Sequence, residues 1–107
     1  MALTNFTVFK GDTFSRDFTI KGDDDFLLDL SSYNFRGQIR DNNSSMVGSI
    51  SFTALDSNTI HMGISSSDTS NMPIGTFIYD VEMFTQNDDM VIKIFRGTFT
   101  TLEEVTL

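Results

Sequence analysis

The sequence predicts an all-β fold, an antiparallel β-sandwich of Ig-like or related type with about seven or eight short strands. Three observations carry this. Residues 75–84 (GTFIYDVEMF) alternate strictly: Phe77, Tyr79, Val81 and Met83 fall on one side, and Ile78, Asp80, Glu82 and Phe84 on the other. Turn-forming clusters recur every ~8–12 residues, the spacing of a sandwich or small barrel. The last third of the chain reads as two or three strands laid end to end, which leaves no room for a helical or nucleotide-binding core.

The elements follow in order. Residues 5–10 (NFTVFK) put Phe6 and Val8 on one face, and residues 13–20 (TFSRDFTI) put Phe14, Phe18 and Ile20 on one face. Gly11-Asp12 between them predicts a hairpin. Arg16 falls in the apolar phase of its strand, which suits a sheet end where its head reaches solvent or a carboxylate. KGDDD at 21–25 is a loop, and FLLDL at 26–30 is an apolar segment crossing one end of the core. Residues 33–40 (YNFRGQIR) separate Tyr33, Phe35 and Ile39 from Asn34, Arg36, Gln38 and Arg40, giving a half-buried strand. Met46–Ala54 brings Ile50, Phe52 and Ala54 into phase. Residues 59–64 point Ile60, Met62 and Ile64 inward and His61 outward. The polar run 65–72 suits one helical turn capped by Ser66 or Ser67. Gln86 to Asp89 turns the chain into residues 90–96, with Ile92 and Ile94 in phase. Gly97 marks a bulge or bend, and 98–106 closes the sheet with Phe99 and Val105.

With 107 residues the chain fits one domain, 1–107, with one core. Phenylalanine supplies most of the large apolar surface: 11 Phe stand against two Tyr and no Trp. The absence of Cys removes disulfides, thiolate metal sites and cysteine catalysis. A net charge of −8 repels phosphate backbones, and the seven Lys and Arg are scattered along the sequence, so nucleic acid is not expected as a partner. No apolar run approaches the ~20 residues of a membrane span, and the first residues lack a signal-peptide pattern. These features predict a soluble product made in a reducing cytosol.

Candidate sites are few. Asp23, Asp24 and Asp25, with Asp29 nearby, could gather around calcium, but they lack the ligand spacing of an EF-hand, and a solvated loop accounts for them better. Asp88-Asp89 is a similar case in a turn that favours Asp anyway. His61 has no second His or any Cys with which to share a metal, and reads as a surface histidine. Asp80 and Glu82 share a face with Lys93 expected across the hairpin, which suits a cross-strand ion pair better than a pair of catalytic carboxylates. No phosphate-binding Gly-rich loop, GxSxG or HExxH sequence occurs. No catalytic residue and no cofactor are predicted. The apolar residues in polar phase say more. Ile78 and Phe84 share the face of Asp80 and Glu82; Val91 and Phe95 share the phase of Lys93; Phe9 opposes Phe6 and Val8. On a one-sided sheet these five form a protein interface; between two layers they would be core.

The segments KGDTFSRDFTI, DLSSYNFRGQIR, TIHMGISSSDTSNMPIGTFIYDVEM and KIFRGTFTTLEEVT occur in an order that resembles the small β-sandwich domains of tailed-bacteriophage virion proteins, among them the N-terminal domains of baseplate and tail-tip proteins. The resemblance spans residues 8–106 and rests on fold-forming positions: Gly11 and Gly75 at turns, Tyr33 and Tyr79 in the core, Gly97 at a bend. It implies a non-enzymatic virion structural protein, an adaptor or assembly subunit of tail, baseplate or neck. Its partners would be other virion proteins or further copies of itself, with no membrane involved, after synthesis in the host cytoplasm. Many relatives continue into a trimerisation or fibre segment. The present sequence stops after the closing strand, which brings in a capsid decoration or cement role. A different class, a calcium-dependent carbohydrate-binding adhesion module, would use Asp23–Asp25 and an aromatic platform, and the lack of Trp counts against it.

Overall fold

In the computed structural model, which describes residues 2–22 and 24–103, eight strands and one short helix form a β-sandwich. The strands are β1 (Ala2–Leu3), β2 (Phe6–Phe9), β3 (Phe14–Phe18), β4 (Asn34–Arg40), β5 (Met46–Ala54), β6 (Ile60–Ile64), β7 (Gly75–Phe84) and β8 (Val91–Leu102). The helix α1 (Ser66–Ser70) sits between β6 and β7.

One layer is β5, β4, β7 and β8, closed by β1 and β2, which run parallel to successive parts of β8. The other is β3, β6 and the second half of β5, all antiparallel. β5 belongs to both: Ile50 opposes Gly37 of β4, and the very next residue, Ser51, opposes Gly63 of β6. The nine-residue alternation of β5 lets one strand line both layers.

Phenylalanine rings close the space between the layers. Phe14 of β3 meets Phe99 of β8 edge-on at 5.2 Å and Phe6 at 5.0 Å; Phe18 meets Phe95 at 5.0 Å. Edge-to-face rings add about 0.5–1.5 kcal/mol per pair beyond their buried area. Ile39, Val81, Tyr79 and Phe99 are fully enclosed. The Tyr79 hydroxyl donates to the Thr4 carbonyl at 2.6 Å, and burial pushes its pKa up to about 12.

Several expectations are corrected. β2 and β3 do not form a hairpin: β2 joins β8 and β3 joins β6 across the core. The physical reason lies in α1. The buried Thr69 hydroxyl accepts from the Gly11 amide and donates to the Asp12 carbonyl, so the turn's backbone groups bond the helix while the chain crosses layers. The α1 cap is Ser65, one residue earlier than Ser66; its hydroxyl accepts from the Asp68 amide. In 26–30 Leu30 is buried and Leu28 packs against the core, while Phe26 and Leu27 are 74% and 48% exposed. The bulge of β8 is at Ile94, where Val81 opposes Phe95 and Glu82 opposes Lys93, and Gly97 lies within one continuous strand. Gly97 is there for another reason: a Cβ would come within 2.1 Å of the Thr4 carbonyl oxygen, so only glycine lets the first strand lie against β8. Residues 98–102 are an inner strand, flanked by β7 and β2, and the expected continuation to Val105 falls outside the described residues.

Candidate docking face

The outer face of β4, β7 and β8 collects the side chains that alternation turns away from the core. From β7 come Ile78, Asp80, Glu82 and Phe84, from β4 Arg36 and Arg40, and from β8 Val91, Lys93 and Arg96. The bulge at Ile94 sets this composition. An extra residue shifts the two-residue period by one, so Lys93 and Arg96 both point outward although they are three apart. The same shift turns Phe95 inward, where its ring packs on Phe18. Phe95 therefore does not share the side of Lys93, as the uninterrupted alternation predicts, but belongs to the core.

Two ion pairs cross strands on this face. Lys93 Nζ lies 2.6 Å from Asp80 Oδ2, and that hydrogen bond raises the lysine's pKa. Arg36 Nε lies 3.1 Å from Glu82 Oε1, with the guanidinium 4.4 Å from the centre of the Phe84 ring. Arg40 bonds Gln38 and the Ser44 carbonyl. Arg96, opposite Asp80 in the register, makes no side-chain ion pair or hydrogen bond among the described residues. Exposed pairs of this kind are worth about 0–1 kcal/mol each. Their effect is to fix where charge stands on the face. Four of the seven cations of the chain collect here, so the basic residues scattered in sequence are clustered in space.

The predicted interface residues do not make one patch. Phe84 and Val91 oppose each other at the β7–β8 turn, Ile78 stands in mid-face at 62% exposure, and Phe9 opposes Leu102 at the far end. The ion pairs lie between them. Beside Ile78, where β1 brings Leu3 opposite Arg96, a cavity of about 460 Å³ is lined by Leu3, Ile78, Asp80, Lys93 and Arg96, with Thr98 at its side.

The acidic loop is built as a turn. Asp24 Oδ1 accepts from the Phe26 amide, Asp25 faces Lys21 at 3.7 Å, and Asp29 accepts from the Ser31 amide and hydroxyl, which lowers its pKa. Asp23 lies outside the described residues. Among the described residues no three His, Asp or Glu side chains gather where they could hold a metal.

One constellation escapes sequence reading. On the outer face of the opposite layer, His61 Nδ1 lies 2.6 Å from Asp17 Oδ1, and its Nε2 lies 3.5 Å from Ser15 Oγ. The register brings them together: Asp17 opposes His61 and Ser15 opposes Gly63. The alternation of both strands shows all three pointing outward, but only the pairing of β3 with β6 makes them neighbours. The order Asp–His–Ser is that of a nucleophilic relay. It stands in solvent, where water competes for the charge that a relay must hold.

No protein-family model matches the chain, and no curated protein matches it. Among solved structures, the titin M3 domain is similar over 92% of this chain and 88% of its own, with a TM-score of 0.50 and 9% identity. CopC from Methylosinus trichosporium OB3b covers 68% of this chain and 66% of its own at 11% identity and TM-score 0.42. A family 123 glycoside hydrolase from Clostridium perfringens covers all of this chain and 24% of its own at 9% identity and TM-score 0.44. The first likeness shows an Ig-like sandwich fold and nothing beyond it; the other two carry no argument.

Proposed function

We propose that the chain is a non-enzymatic docking module that buries the outer face of β4, β7 and β8 against a partner, as an adaptor or assembly subunit of a bacteriophage virion. The observation that carries the docking reading is Ile78. It stands 62% exposed in mid-strand, beside an open cavity that Asp80, Lys93 and Arg96 also line. An apolar centre with a polar, orienting rim is the anatomy of a protein interface. The virion setting rests on the resemblance of the four sequence segments to phage β-sandwich domains.

The test is complementation of a phage carrying this gene with an Ile78→Asp variant whose melting temperature matches the parent. The expected result is particles that lack the protein. Particles that incorporate the variant at parental stoichiometry would overturn the reading.

A second reading, hydrolysis of small esters, has the Asp17–His61–Ser15 alignment in its favour. It requires p-nitrophenyl acetate turnover that Ser15→Ala abolishes without a change in melting temperature. Turnover unchanged by that substitution removes it.

A further inference from the structure

The docking face is basic in an acidic chain. It holds four cations against Asp80 and Glu82, which leaves three cations and thirteen carboxylates for the remainder of the sequence. Those carboxylates are unevenly placed. The register sets the turns at 21–33, 55–59 and 85–90 at one end of the sandwich, since Phe18 and Ala54 both oppose Ile60, and Phe84 opposes both Asn34 and Val91. That end carries Asp24, Asp25, Asp29, Asp56 and Asp89 against Lys21.

The same end presents a knob. Phe26 is 74% exposed, yet it is held in an ordered turn. Its carbonyl accepts from the Gly22 amide, its amide donates to Asp24 Oδ1, and Lys21 bridges Leu27. The cavity on the docking face is its complement, with the apolar walls Leu3 and Ile78 and two cations, Arg96 and the Asp80-bonded Lys93, against the single carboxylate of Asp80. The cavity centres on Ile78, which opposes Arg40 at the end of β4 and lies six residues along β7 from Phe84 at the acidic end, so knob and cavity stand apart in one molecule.

Resting on the docking reading above, we infer that the face takes a second copy of this chain, head to tail: Phe26 of one molecule seats in the Leu3–Ile78 cavity of the next, with Asp24 and Asp25 on Arg96 and Lys93. Knob and cavity are different surfaces, so the contact is heterologous and each molecule uses both, which builds a ring or a filament. Charge makes the association salt-sensitive, since exposed charges are screened beyond ~10 Å at 0.1 M salt.

The experiment is light scattering over a concentration series, with two reversal variants, Arg96→Glu on the face and Asp24→Lys/Asp25→Lys on the knob, each checked for an unchanged melting temperature. At low salt the parent should rise to about twice the monomer mass or beyond, and fall back in high salt. Each variant alone should stay monomeric. An equimolar mixture should regain association, because an intact knob meets an intact cavity and the two reversed surfaces are again opposite in charge. Phe26→Ser, a change at an exposed turn position, should also leave monomers. A parent that is monomeric at every concentration in low salt overturns the inference, as does a variant that associates like the parent. If the parent is monomeric while Ile78→Asp still prevents incorporation into particles, self-association falls and the docking reading stands. If incorporation also survives, both fall.

Discussion

The two outer faces of the sandwich are made by the same alternation and look different. Across β4, β7 and β8 the outward positions hold long charged chains and large apolar ones, locked in cross-strand pairs around an open cavity. Across β3 and β6 they hold Ser15, Gly63 and a single His–Asp pair. The first offers area, fixed charge and a concavity; the second offers only a local tether between an edge strand and its neighbour. Backbone periodicity decides which residues point outward, and the choice among polar residues decides whether a face can bind anything.

The largest expected effect sharpens where the first face ends. Phe95→Ala removes a ring packed on Phe18 and should cost about 3 kcal/mol in denaturant unfolding, whereas Phe84→Ala, on the outer side, should cost less than about 1 kcal/mol. Equal losses would mean that the bulge at Ile94 does not set the facing of β8. Next comes Gly97→Ala. Its methyl group meets the Thr4 carbonyl, so β1 must lift away, at a cost of about 2 kcal/mol and with loss of amide protection at Thr4. Tyr79→Phe should cost about 1 kcal/mol through the lost bond to Thr4.

Tyr79 also makes a pH prediction. Its pKa in the fold is about 12, above the ordinary 10, so the folded state favours the neutral phenol. Its contribution is complete below pH 10 and is lost as the pH rises toward 12. Melting temperatures of the parent should fall across that window more steeply than those of Tyr79→Phe. The smallest effect belongs to the opposite face: Asp17→Asn should change stability by less than about 1 kcal/mol, since the His61 pair is exposed. A larger loss would show that the pair holds β3 in place.

The sequence makes some of this legible and hides the rest for definite reasons. The bounds of β5 and β7 are read to the residue, because their alternation is long; β7 turns its apolar row inward, while in β5 Ile50 and Phe52 face the core and Ala54 is exposed. β6, with Ile60, Met62 and Ile64 buried around an outward His61, is read equally well. The Gly11-Asp12 turn misleads, because the partners that send β3 to the other layer are Thr69 and Leu102, far along the chain. The bulge at Ile94 is one inserted residue among apolar neighbours, with no compositional mark, and it alone moves Phe95 from the docking face to the core. The cation cluster and the Asp17–His61–Ser15 alignment depend on strand pairing, which no local pattern encodes.

The seating of the first strand on the last has a consequence in time. Asn5 accepts a hydrogen bond from the Thr98 amide across 93 residues, and Phe6 through Phe9 pair with Phe99 through Leu102. During synthesis β2 emerges well before the part of β8 that it pairs with. Phe6 and Val8 stay without a sheet until the ribosome has released residues 99–102. Long-range pairing of this kind folds slowly, on the scale of ~ms to s. The nascent chain therefore carries an unpaired apolar strand while the residues between β2 and the end of β8 are made, the interval in which a chaperone would recognise it.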